Sequence, residues 1–353
     1  MRVKPILVAV LLLVLPAAAA GQSDTTDGFV RAEMRRQNIP GLSLVVVDHG
    51  RTVKSTGYGF SNIKAKSPAT PATVYRIASV SKQFIAAAIM RLVEARRVNL
   101  GDSIRTYLSD VPPQWYGITI RHLLTHTSGL AREAPGFDPF KVQTDVAIIR
   151  SAYGLPLRFS PGEKWEYSNL GYFVLAEVIT RAARQPWSEY IRDSIFEPLH
   201  MFSTYPTNTT RPIANRAHGY TDNDAWKDAP EWPALRPSGA FLSSVLDLAQ
   251  WDAALSAGQF LADSSLQAMW TPATLNAGTT VPYGFGWMFG CFKGHRLVHH
   301  PGGMPGTRAD LARFPEDSLT VIVLMNLDDV DIDALVFGIA NLYLQPRHTG
   351  RCQ

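Results

Sequence analysis

The sequence predicts an α+β fold: an antiparallel sheet built from both ends of the chain, flanked by helices, with a helical lobe inserted between the two parts. Three observations predict it. Two strand-like runs stand near the start, joined by a turn signal. Four more strand-like runs and a closing helix fill the last third. The middle third breaks into helical pieces separated by loops rich in Pro and Gly. Strands, then helices, then strands again imply two layers around one core rather than an alternating parallel sheet.

Taken in order, a helix is expected near Thr25–Gln37, stopped by Pro40-Gly41. Strands Leu42–Val47 and Thr52–Tyr58 follow around Asp48-His49-Gly50. From Ser79 to about Val98 the pattern turns helical, and Phe84–Val93 is apolar nearly all round, as in a helix buried on several sides. Helical pieces are expected near Thr119–Thr125, Asp145–Ser151, Leu170–Ala183, Trp187–Phe196 and Ser244–Leu255. Strands return at Tyr283–Phe289, Arg296–His300, Ala309–Phe314 and Thr320–Asn326, before a helix near Asp331–Leu344. The sheet lobe is thus expected over about 24–78 and 235–353, and the helical lobe over about 79–234.

Composition sets the outer bounds. The chain has 353 residues, 46% hydrophobic and 18% charged, which suits a globular protein and not a disordered one. Its formal charge of +4 is spread without a basic run, so nucleic-acid binding is not expected. Two cysteines, Cys291 and Cys352, exclude a disulfide-dense scaffold and a four-thiolate zinc site; spacing leaves open whether they pair. Residues 1–20 read as a signal peptide: Arg2 and Lys4, an apolar run from Ile6, and Ala18-Ala19-Ala20 at its end. The run falls short of the roughly 20 residues that span a bilayer. The mature protein, residues 21–353, is therefore expected to be secreted or periplasmic, without stable membrane insertion.

Three clusters carry chemistry. Ser79-Val80-Ser81-Lys82 sets Lys82 one helical turn behind Ser79, on the same face. A serine hydroxyl needs a neighbouring base, and a lysine serves once desolvation lowers its pKa. Tyr167-Ser168-Asn169 offers a tyrosine whose pKa a nearby ammonium would lower, fitting it for proton transfer, and an amide able to touch both lysine and substrate. His300-Pro301-Gly302-Gly303 closes a strand. Pro belongs on an open edge, and the N–H of Gly303, on the same side, can reach a substrate oxygen. With the N–H of Ser79 it would form an oxyanion hole. Each cluster also has a plain reading: an N-cap, a loop tyrosine over the core, a glycine turn.

Together, in this order, the three motifs resemble the serine β-lactamase and penicillin-binding family in its class C and D,D-peptidase branch. Ile39-Pro40-Gly41-Leu42-Ser43, Leu123-Leu124-Thr125-His126-Thr127-Ser128-Gly129-Leu130 and Tyr283-Gly284-Phe285-Gly286-Trp287 support the resemblance, which runs from about residue 28 to 345. It implies the β-lactamase/transpeptidase-like fold, with the site in a cleft between sheet and helical lobe. It implies Ser79 as acylated nucleophile, and Lys82 and Tyr167 as proton-transfer partners whose division of labour stays open. Asn169, His300, Gly302 and Gly303 would bind substrate, with no metal and no cofactor.

The departure lies at 300–301, where many relatives carry Lys-Thr-Gly. His300 is mostly neutral at pH 7 and Pro301 has no hydroxyl, so the strand is expected to hold an anionic lactam poorly. Esters or D-amino-acid peptides, peptidoglycan stems among them, fit better, and protonation of His300 near pH 6 is expected to restore some grip on carboxylates. The alternatives are a class C-type β-lactamase and, in another class, a catalytically silent peptidoglycan-binding or penicillin-sensing module. Glu166 is given no role. Asp329-Val330-Asp331-Ile332-Asp333 lacks the Gly and Glu of a calcium loop and is read as charge at the first turn of the last helix.

Overall fold

The computed structural model describes residues 17–346 and Cys352, apart from Asn223 and Gln259; most of the expected signal segment, residues 1–16, lies outside the described residues. Helix α1 (Ala17–Arg36) starts upstream of the expected Thr25, as helix-favouring alanines at 17–20 allow. A hairpin follows, β1 (Gly41–Asp48) and β2 (Arg51–Asn62), turning at His49 and Gly50 with φ of +49° and +73°. Two left-handed residues in a two-residue loop match the twist of the flanking strands. The short β3 (Ser67–Pro68) pairs with β2.

The last third supplies β4 (Met288–Phe292), β5 (His295–Met304), β6 (Thr307–Phe314) and β7 (Leu319–Met325). The seven strands form one antiparallel sheet in the order β4-β5-β6-β7-β1-β2-β3. Chain ends meet where Leu42 pairs with Met325 and Asp48 with Leu319. β1 is mostly apolar and buried through Val46 because both its faces are covered. Leu42, Leu44 and Val46 face α1 and the closing helix, while Val45 and Val47 face the helical side.

The helical side is built on α2 (Lys82–Glu94), α3 (Ile120–Leu124), α4 (Asp145–Ser151), α5 (Asn169–Ala183), α6 (Trp187–Ile191), α7 (Val245–Ser256) and α8 (Asp263–Met269). Phe84 of α2 sits edge-on against Phe196 and Phe241, and each such buried side chain stabilises by about 2 kcal/mol. Helix α9 (Ile332–Tyr343) ends the core. Asp331 caps it by accepting from the N–H of Ala334, so the acidic run serves a helix start.

Two expectations need correction. Residues Ala78–Ser81 form a 3-10 turn ahead of α2, so Ser79 precedes the α-helix instead of opening it. Tyr283–Trp287 is not strand. Gly286, at φ +76°, lies so close to α2 that a Cβ there would stand 2.7 Å from the carbonyl oxygen of Lys82. The stretch at Trp187–Phe196 is helical as expected, α6 passing into a π turn at Arg192. A three-stranded sheet of Tyr75–Arg76, Phe241–Ser243 and Tyr205–Pro206 was not expected, since strands of two or three residues carry no readable period. Cys291 and Cys352 form a disulfide with Cα atoms 5.7 Å apart, which ties β4 to the C-terminus.

Candidate active site

The segment that carries Ser79 is held under strain. Ala78, a non-glycine residue, takes φ +44°, which costs of order 1 kcal/mol and turns Ser79 toward a cleft of about 470 Å³. The 3-10 geometry then sets i and i+3 nearly in line, and Lys82 Nζ lies 3.3 Å from Ser79 Oγ, donating to it only while the lysine is charged. Lys82 is fully buried. It also donates to Asn169 Oδ1 and to the carbonyl of Ser238, both at 2.9 Å. Its ammonium lies over the rings of Tyr167 and Tyr172. Burial, with the positive charge of Arg236, pushes the Lys82 pKa well below the usual lysine value; Glu133 opposes the shift.

Tyr167 lines the cleft beside Ser79, whose hydroxyl acts to lower the tyrosine's pKa. The sequence argument expected an ammonium to lower this tyrosine. Burial raises it instead. Lys82 is thus the group drawn toward its neutral basic form, and Tyr167 the one held protonated.

His126 holds the Tyr167 segment from below. Its carbonyl accepts from the N–H of Glu166 at 3.0 Å, and its Nδ1 accepts from the N–H of Ser168 at 3.1 Å. Its ring packs 4.3 Å from that of Tyr167. Nδ1 as acceptor leaves the proton on Nε2, which is buried without a partner among the described residues. Ser168 caps α5, accepting from the N–H of Gly171, and so fixes Asn169 at the first turn. Glu166 pairs with Arg158 at 2.9 Å, away from the reacting atoms.

Strand β5 forms the opposite wall. The loop between β5 and β6 is only Pro305-Gly306, and Pro301 and Gly303 pair with Asp310 and Arg308. Antiparallel pairs alternate in hydrogen bonding, so the Gly303 amide points away from β6, toward the cleft that it lines. Gly302 is packed against the serine turn: a Cβ would stand 2.3 Å from the Ile77 carbonyl oxygen and 3.1 Å from Ser79 N. No larger residue fits there. The two amides proposed for the oxyanion are therefore neighbours.

His300 lines the cleft but is not a latent cation. Its Nδ1 donates to the Pro301 carbonyl at 2.8 Å, and its Nε2 accepts from the Tyr283 hydroxyl at 2.9 Å. Burial, with Lys82 adding repulsion, pushes its pKa down to about 3. This runs against the expectation that it charges near pH 6, because burial of the ring and the nearby Lys82 both disfavour the imidazolium. Asn169 likewise differs from a free substrate hand. One of its amide hydrogens goes to Glu133 Oε1 at 2.6 Å.

The structure therefore brings Ser79, Tyr167, Asn169, His300 and Gly303 to one cleft, with Lys82 and Gly302 buried against Ser79 behind it. Sequence reasoning missed His126, Glu133, Arg236, Ser238 and Tyr283. The stretches around His126 and Tyr283 stood out, but nothing local marked Glu133 or Arg236. No cluster of metal-ligating side chains and no helix long and apolar enough to cross a membrane occurs among the described residues.

Comparison with known proteins speaks to family and fold. The β-lactamase family model matches residues 26–336. A penicillin-binding protein of Bacillus subtilis is 31% identical over 311 residues, 81% of this chain and 68% of its own. The chain spans 64 to 68% of the length of the first curated relatives that it matches. Among solved structures, the octameric penicillin-binding protein homologue of Pyrococcus abyssi is 28% identical with TM-score 0.78, over 90% of this chain and 76% of that one. The D-amino acid amidase of Ochrobactrum anthropi is 27% identical with TM-score 0.79, over 91% of this chain and 96% of that one.

Proposed function

This chain belongs to the β-lactamase family of serine hydrolases, and on that premise we propose that it hydrolyses neutral esters or D-amino-acid amides and peptides through an acyl-enzyme on Ser79. The observation that carries the choice of substrate is the uncharged, doubly hydrogen-bonded His300 beside Pro301. That wall offers neither a fixed cation nor a hydroxyl to a carboxylate next to the scissile bond. Likeness to a D-amino acid amidase over nearly its whole length points the same way.

In this reading the neutral Lys82 amine takes the Ser79 proton as Oγ attacks the carbonyl carbon. The N–H groups of Ser79 and Gly303 receive the oxyanion. The proton passes from Lys82 through Tyr167 to the leaving oxygen or nitrogen, and the C–O or C–N bond breaks. Water then gives a proton to the same pair, attacks the acyl-enzyme, and releases the acid with Ser79 restored. Asn169 holds Lys82 with its oxygen and keeps one amide hydrogen for the substrate.

Export fits the reading: the first twenty residues have the pattern of a signal peptide, and a Cys291–Cys352 disulfide suits an oxidising space. The test is a panel on one preparation: a short-chain nitrophenyl ester, a D-amino-acid amide, a D-Ala-D-Ala peptide and a chromogenic cephalosporin. The ester or the D-amino-acid amide should give the highest kcat/KM, ahead of the D-Ala-D-Ala peptide and the cephalosporin, which both carry a carboxylate beside the scissile bond. A marked preference for the cephalosporin would overturn the proposal.

A further inference from the structure

We propose that the Glu133–Arg236 ion pair is a positioning device for Lys82, closing a ring of hydrogen bonds that aims the amine lone pair at Ser79. This rests on the reading of Lys82 as the base. The ring runs through five residues. Lys82 Nζ donates to Asn169 Oδ1, and Asn169 Nδ2 donates to Glu133 Oε1. Arg236 Nη2 donates to both oxygens of Glu133. Arg236 Nε donates to Ser238 Oγ at 2.9 Å, and the Ser238 carbonyl accepts from Lys82 Nζ.

A neutral amine has two N–H bonds and one lone pair. If Asn169 Oδ1 and Ser238 O take both hydrogens, the lone pair is left facing Ser79 Oγ, the third neighbour. Should either acceptor swing away, an N–H can turn to the serine and the base is misdirected. Asn169 cannot reverse its amide while Glu133 is ionised. Reversal would set its oxygen against a carboxylate, which has no proton to give, and its NH₂ against the lysine N–H. Arg236 holds Glu133 and Ser238 together and is itself steadied over the ring of Phe137. One pair at the cleft rim thereby governs both acceptors.

The pair also sets opposite charges near the amine. Around Lys82 stand Arg132 and Glu133, Tyr167 and Tyr172, Arg236, His126 and His300. Of these, only Glu133 and Arg236 change in the test, which measures kcat/KM against pH for a neutral nitrophenyl ester. Each preparation is normalised to the fraction labelled to completion at Ser79 by a serine-reactive phosphonate, so that misfolded protein does not count.

Glu133→Ala should lower the plateau about tenfold and move the acidic limb to lower pH by about half a unit, since Arg236 is left uncompensated. Arg236→Ala should lower the plateau and move the limb to higher pH. Glu133→Gln keeps an acceptor for Asn169 and should recover much of the plateau while showing the downward displacement. The double variant should return the limb toward wild type with the plateau still low. Limbs that do not move, or move the same way in both single variants, would overturn the inference, as would a wild-type plateau in Glu133→Ala. Acylation retained by Lys82→Ala, or a wild-type profile with no acidic limb, would instead overturn the reading of Lys82 as the base.

Discussion

The Tyr283 hydroxyl and His300 Nε2 lie 2.9 Å apart, and burial beside Lys82 favours the neutral imidazole, so that Nε2 accepts from the hydroxyl. Its other nitrogen is spent on the Pro301 carbonyl. The wall opposite Tyr167 is accordingly one that orients uncharged groups.

That relationship predicts specificity. Because the His300 pKa is pushed down to about 3, its neutral form persists as pH falls from 8 to 5. The ratio of cephalosporin to ester kcat/KM should then stay flat over that range in the wild type. Replacing His300-Pro301 by Lys-Thr should raise the ratio about tenfold, the worth of a charged hydrogen bond. A wild-type ratio that climbs near pH 6 would show that His300 does become charged.

For the nucleophile, Ser79→Ala should remove turnover of every substrate while the melting temperature stays near that of the wild type. A phosphonate adduct should map to Ser79 by mass spectrometry. Ser81 and Ser128 are buried and accept from the N–H groups of Phe241 and Leu130, so neither should be labelled. An adduct on either would sink the assignment.

Proton transfer gives a third expectation. Lys82→Ala and Tyr167→Phe should each slow acylation by several orders of magnitude, and the double variant should be little worse, as for groups acting as one unit. The Lys82 pKa is depressed, so raising pH through it frees the amine, and kcat/KM should rise with pH and level off well below 10.5. Independent multiplication of the two losses would contradict the shared path.

His126 should matter for placement. His126→Ala strands the buried N–H of Ser168 and puts alanine at φ +59°, costing about 2 kcal/mol of stability. It should lower kcat more than it changes KM, because the Tyr167 segment loses its support. His126→Asn keeps an acceptor and tolerates that backbone, and should recover much of both losses. Unchanged kcat in the alanine variant would deny His126 this role.

The sequence by itself determined the broad architecture and the motif residues. Alternating and all-round apolar patterns follow from burial on one or two faces, so β1, β2, α2, α5 and α9 were legible, as was the nearness of Ser79 to Lys82. Tertiary structure alone decided the charge states and the partners. Whether His300 is cation or neutral acceptor, and whether Tyr167 rises or falls, depends on desolvation and on groups distant in the chain, Lys82 for His300 and Ser79 for Tyr167, which no local spacing encodes. Likewise, Glu133 and Arg236 are 103 residues apart, joined only when the helical lobe closes on the sheet. Their sequence contexts are those of ordinary surface residues, because a hydrogen-bonded ring is a property of geometry in space.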